Sequence, residues 1–126
     1  MQTFYNFNNS VQFFNLRPTA KQMATDIGFD LNGSVNISST IEELVRIISA
    51  FGKDLDISMK MVKSGKNSGI EFSITALTED RIGSNFSING HLGSGFINIK
   101  RKMDNFCISS SGGELRLVTR KWIPVA

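Results

Sequence analysis

The chain has 126 residues, 40% hydrophobic and 20% charged, with two prolines; this is the make-up of one folded domain spanning residues 1–126, and it excludes two independent domains or a disordered segment. Fourteen basic residues against eleven acidic ones leave a net charge of +3, and the densest run, Lys100-Arg101-Lys102, is too short for a nucleic-acid tract, so no nucleic-acid partner is expected. A lone cysteine, Cys107, excludes an intrachain disulfide; Met1 to Leu16 holds neither a basic leader nor a long apolar run, so a cytoplasmic location without membrane contact is expected.

In chain order, Thr3 to Phe7 and Val11 to Phe14 are aromatic, β-prone runs separated by Asn8-Asn9-Ser10, the chemistry of a hairpin turn. A first helix is predicted from Pro18 to Ile27, with Ala20, Met23, Ala24 and Ile27 at helical spacing and Gly28 as its stop. Phe29 to Ile37 reads as a connection, after which Ser39-Thr40-Ile41-Glu42 fits a capping box opening a second helix. That helix carries an apolar stripe, Ile41, Leu44, Val45, Ile48 and Phe51, with Ile47 widening it and Gly52 as a left-handed stop.

Asp56 to Val62 and Ile70 to Leu77 alternate as two strands of a hairpin, turned between Gly65 and Gly69. Thr78 to Gly90 has no sustained period and reads as a loop. Phe96, Ile99, Met103 and Phe106 recur at spacings of three and four, which predicts a third helix over Gly95 to Phe106. Cys107 to Ser110, a Ser-Gly-Gly turn, and Glu114 to Trp122 complete the chain as β structure, with Cys107 expected to be buried.

Segregation of helices from strands in this order predicts an α+β two-layer sandwich. In it a mostly antiparallel sheet is covered on one face by about three helices. Met23, Met59, Met61 and Met103 fall on the core faces as apolar filler. His91 is the only histidine, which excludes a two-histidine metal site and leaves no evident nucleophile triad; no metal site is expected. Glu43 lies on a helix beside Glu42, where a carboxylate ordinarily serves solvation.

Three strings carry a family resemblance: Ala20-Lys21-Gln22-Met23-Ala24 with Ile27-Gly28-Phe29; Glu43-Leu44-Val45-Arg46 with Gly52-Lys53; and Leu92-Gly93-Ser94-Gly95 running into Lys100-Arg101-Lys102-Met103-Asp104-Asn105-Phe106, closed by Arg120-Lys121-Trp122. From Ala20 to Trp122 the chain resembles the GHKL-type, histidine-kinase-like ATPases in their small bacterial form, the serine-protein kinases and anti-sigma factors of partner-switching stress signalling. The resemblance implies a Bergerat-like sandwich with ATP lying over the sheet.

In that family a Glu acts as base and an Asn one helical turn later ligates magnesium. Here Glu43 holds the first position and Ile47 the second, and an alkyl side chain has no oxygen for a hard cation. The family's Asp-x-Gly-x-Gly box, which reads adenine, aligns with Thr78, Asp80 and Ile82; only the Thr78 hydroxyl keeps any acceptor capacity. The third box persists in part, since Gly93, Ser94 and Gly95 can present backbone amides to an anion at a helix start.

The resemblance therefore implies a degenerate member: a pseudokinase and protein-binding module with a vestigial Glu43, a vestigial phosphate site at Gly93, Ser94, Gly95 and Thr78, and no cofactor. Its implied partner is a STAS-domain antagonist or a sigma factor. The alternative is an active ATP-dependent serine kinase with a rebuilt pocket, needing ATP and magnesium. A homodimer through the aromatic N-terminal strands is a further expectation.

Overall fold

Side-chain alternation along the strands decides which face of the sheet the helices cover. The computed structural model describes residues 4–7, 15–50, 52–78 and 93–124. β1 (Phe4–Phe7), β2 (Lys53–Ser64), β3 (Asn67–Leu77), β4 (Asn105–Ser111) and β5 (Glu114–Trp122) form one sheet in the order β1-β2-β3-β5-β4, with every pairing antiparallel. On β3, Ile70, Phe72 and Ile74 are completely buried, while Ser73 and Thr75, on the opposite face, are half-buried. Register carries this apolar face across the sheet: Ile57 lies opposite Ile74, which lies opposite Leu117, and Met59 lies opposite Phe72.

Three helices among the described residues close over that face. α1 (Leu16–Ile27) buries Leu16, Ala20, Met23 and Ala24, α2 (Leu31–Ser49) buries Ile37, Ile41, Leu44 and Ile48, and α3 (Gly93–Lys102) buries Phe96 and Ile99. The expected two-layer α+β sandwich is therefore present, with a fully antiparallel sheet. β1 is an edge strand against β2; the second N-terminal run, Val11 to Phe14, lies outside the described residues.

The largest difference from the sequence reading is the start of α2. It begins at Leu31, with Asp30 as N-cap accepting from the Gly33 N–H at 2.7 Å, so Ser39-Thr40-Ile41-Glu42 is helix interior and not a capping box. The hydroxyls there are satisfied within the helix: Ser38 and Ser39 donate to the Val35 carbonyl at 2.8 and 3.0 Å, and Thr40 donates to Asn36 O at 2.7 Å. Ser34, Ser38 and Thr40 are buried, and Thr25 Oγ1 donates to Ser34 Oγ at 3.0 Å, joining α1 to α2. Asp30→Ala is expected to lower stability by about 1 kcal/mol, read as a shift in the urea midpoint with an unchanged m value.

Helix ends follow backbone chemistry. Gly28, at φ 127°, and Phe29 both donate back to α1, Gly28 to Thr25 O at 3.1 Å and Phe29 to Ala24 O at 3.0 Å, the Schellman pattern. α2 stops differently from the expectation: Ala50, in right-handed conformation, is its C-cap. Gly52 instead provides space, because a Cβ there would sit 2.9 Å from the Ala76 Cβ.

α3 ends at Lys102, four residues short of the predicted Phe106. The Asp104 N–H donates to Arg120 O at 2.9 Å, and the chain leaves the helix to pair with β5. Phe106 sits on β4 and still faces the core, tilted against Phe96 with ring centroids 5.9 Å apart, which is why its spacing mimicked a helical position. Two more expectations are corrected by position. Cys107 is exposed, because it alternates with the core-facing Phe106 and Ile108 and so lies on the opposite face of β4, and Met61 is half-buried near the far end of β2. The Ser-Gly-Gly turn is as expected, Gly112 and Gly113 taking φ of 59° and 80° in a two-residue hairpin loop.

Candidate functional site

The residues singled out by sequence come from three elements. Glu43 and Ile47 are one helical turn apart on α2, and both are half-buried. The Ile47 side chain packs against the hydrophobic core. The C-terminal end of α2 in turn reaches the end of β3, where the Gly52 N–H donates to Ile48 O at 2.8 Å and its Cα lies close against Ala76.

Thr78 follows directly from β3. Its N–H donates to Gly113 O at 2.7 Å, which ties it to the β4–β5 turn. Its hydroxyl oxygen is buried and has no hydrogen-bond partner, the only such side-chain atom among the described residues. An unpaired buried hydroxyl costs about 1–3 kcal/mol relative to a satisfied one, so this atom is a strong candidate for pairing with something outside the described chain.

Gly93, Ser94 and Gly95 form the first turn of α3, where backbone N–H groups have no intrahelical acceptor. The helix starts two residues earlier than expected, so Gly93 itself is its first residue. The Ser94 side chain, Asp80, Ile82 and His91 lie outside the described residues. α3 packs against α2, which brings the Gly93 turn and the Glu43 helix into one layer. Among the described residues no group of three His, Cys, Asp or Glu side chains is placed to hold a metal ion.

The string that carried most of the resemblance turns out to be structural in its geometry. Asp104, after α3, accepts the Trp122 N–H at 2.7 Å and lies 3.6 Å from Lys121 Nζ, while the Trp122 indole donates to Asn105 Oδ1 at 3.1 Å. Arg120 Nε donates to Glu71 Oε1 at 2.7 Å. The Asp104 and Asn105 contacts clasp the segment after α3 to the end of β5, and the Arg120–Glu71 bond ties β5 to β3. A cavity of about 500 Å³ lies beside that clasp, and neither Glu43, Ile47 nor Thr78 lines it. Arg101 and Lys102, in the basic run too short for a nucleic-acid tract, are exposed, and both stand at this cavity.

No helix among the described residues is long and apolar enough to cross a membrane. No family model matches the chain. Over 118 residues, covering 85% of this chain and 86% of the relative, it is 27% identical to the serine/threonine-protein kinase RsbT of Bacillus subtilis (strain 168). That similarity supports the resemblance to the serine kinases drawn from the residues alone.

Proposed function

We propose that the chain is a regulatory protein-binding module of the partner-switching kind, related to the serine kinases but non-catalytic, and that it works in the cytoplasm on a STAS-domain antagonist or a sigma factor. The observation that carries this reading is Ile47. The position that the resemblance assigns to a magnesium-binding amide holds an alkyl group, and that group is packed against the core, so nothing there can ligate a hard cation. Similarity to a serine/threonine-protein kinase over most of both chains supports the kinship. Under this reading Glu43 and the Gly93-Ser94-Gly95 turn are inherited parts, and no cofactor is needed.

A second reading is favoured by one observation. The buried, unpaired Thr78 hydroxyl stands where the family reads the adenine amine, and such an atom would be satisfied by a nucleobase. A working serine kinase would then use ATP and magnesium with a rebuilt set of ligands.

Calorimetric titration of the purified chain with the host's STAS-domain and sigma-factor proteins separates the two. Micromolar or tighter binding to one of them without nucleotide is the expected result. Binding that requires Mg-ATP, accompanied by phosphate transfer to a STAS serine, sinks the non-catalytic reading.

A further inference from the structure

The cavity beside the clasp has the make-up of a ligand site. Its volume of about 500 Å³ lies in the ordinary range for small-molecule pockets. Phe29, Ile37 and Met103 supply buried apolar surface to its walls. Three cations, Arg101, Lys102 and Lys121, stand around it against the single carboxylate of Asp30, and that carboxylate is already engaged by the Gly33 N–H at 2.7 Å. Lys121 has Asp104 as partner at 3.6 Å; the side chains of Arg101 and Lys102 make no ion pair or hydrogen bond among the described residues. The Asn36 side chain adds an exposed amide to the wall, likewise without a partner there.

We propose that this cavity binds a small organic carboxylate. Its aromatic or aliphatic body lies against Phe29, Ile37 and Met103, and its carboxylate is gripped by the Arg101 guanidinium with Lys102 beside it. An apolar wall with a few convergent polar groups is the pattern that fixes both affinity and orientation. A guanidinium matches a carboxylate with two parallel N–H donors, which a bare solvated face has no need to present in a concave wall. The proposal does not depend on whether nucleotide binds, because the cavity is lined by the first turns of α2 and the last turn of α3, away from Glu43, Ile47 and Thr78.

The test uses the full chain and anilinonaphthalene sulfonate, an aromatic anion whose fluorescence rises on burial, as probe. Saturable single-site binding is expected, with displacement by phenylbutyrate and none by neutral phenylbutyramide or by inorganic phosphate at equal ionic strength. Arg101→Ala combined with Lys102→Ala should weaken probe and phenylbutyrate binding by about tenfold or more. Asn36→Trp, a plug at an exposed position, should weaken both to a similar degree, and melting curves should show all variants folded. Absence of saturable binding, equal displacement by the neutral amide, or unchanged affinity in both variants overturns the proposal.

Discussion

Phe72→Ala is expected to lower the free energy of unfolding by about 3–5 kcal/mol, read from denaturant midpoints with Trp122 fluorescence as the signal. Phe72 is completely buried on β3, opposite Met59 on β2 and Thr119 on β5, so the ring sits at the centre of the sheet face that the helices cover. Deleting it removes the transfer energy of an aromatic side chain and leaves a void that the paired strands are poorly able to close. A loss below about 1 kcal/mol would mean that the helices do not seal this face, and the two-layer account would fail with it.

Glu71→Ala is expected to cost about 1–3 kcal/mol. The Glu71 side chain is 7% exposed on the sheet face away from the helices, held by Arg120 at 2.7 Å and Lys60 at 3.3 Å. The three residues form one cross-strand row, Lys60 opposite Glu71 and Glu71 opposite Arg120, so the carboxylate bridges β2 and β5 through β3. Both cations keep substantial solvent contact, 38% for Lys60 and 44% for Arg120, which holds the loss below that of a fully buried pair. A double-mutant cycle with Arg120→Ala isolates the shorter bond; additive losses would show that it contributes no coupling.

Much of the architecture was legible because periodicity reports burial. The alternation in β2 and β3 and the Ile41-Leu44-Val45-Ile48 stripe named core residues that the structure buries. The start of α2 was missed for a physical reason. Ser34, Ser38, Ser39 and Thr40 have side chains that compete with the helix backbone in isolation, yet here they donate to carbonyls of the preceding turn or bridge to α1. A signal was present: Ile37 precedes Ile41 by four residues and extends the stripe back by a turn, and Asp30 is a strong N-cap residue. The end of α3 was misread because Phe106 reaches the same core from a strand, and apolar spacing alone does not tell a helical neighbour from a residue that returns to the core by another route.

The candidate site was less legible than the fold. Strings specific enough to suggest kinship, Met103-Asp104-Asn105-Phe106 with Arg120-Lys121-Trp122, build the clasp between α3 and β5. They report how the sandwich is closed and say little about chemistry. The chemistry-bearing positions are single residues, Glu43, Ile47 and Thr78, whose meaning comes from the resemblance. Structure adds two physical facts to them: the half-buried Ile47 side chain packs against the core, and the Thr78 hydroxyl is buried without a partner. The cavity at Arg101 and Lys102 had no sequence signal, since it is assembled from the α1–α2 junction and the ends of α3 and β5, far apart in the chain.

The proposal at stake is that this chain lacks the nucleotide chemistry of the serine kinases it resembles. Thermal melting of the full chain with increasing ATP, with and without magnesium, tests it most directly, because a ligand that binds only the folded state adds stability of RT ln(1 + [L]/Kd) and so raises Tm. No rise is predicted up to millimolar ATP, with or without magnesium. A rise of several degrees that keeps growing with ATP concentration and disappears when magnesium is removed would contradict it.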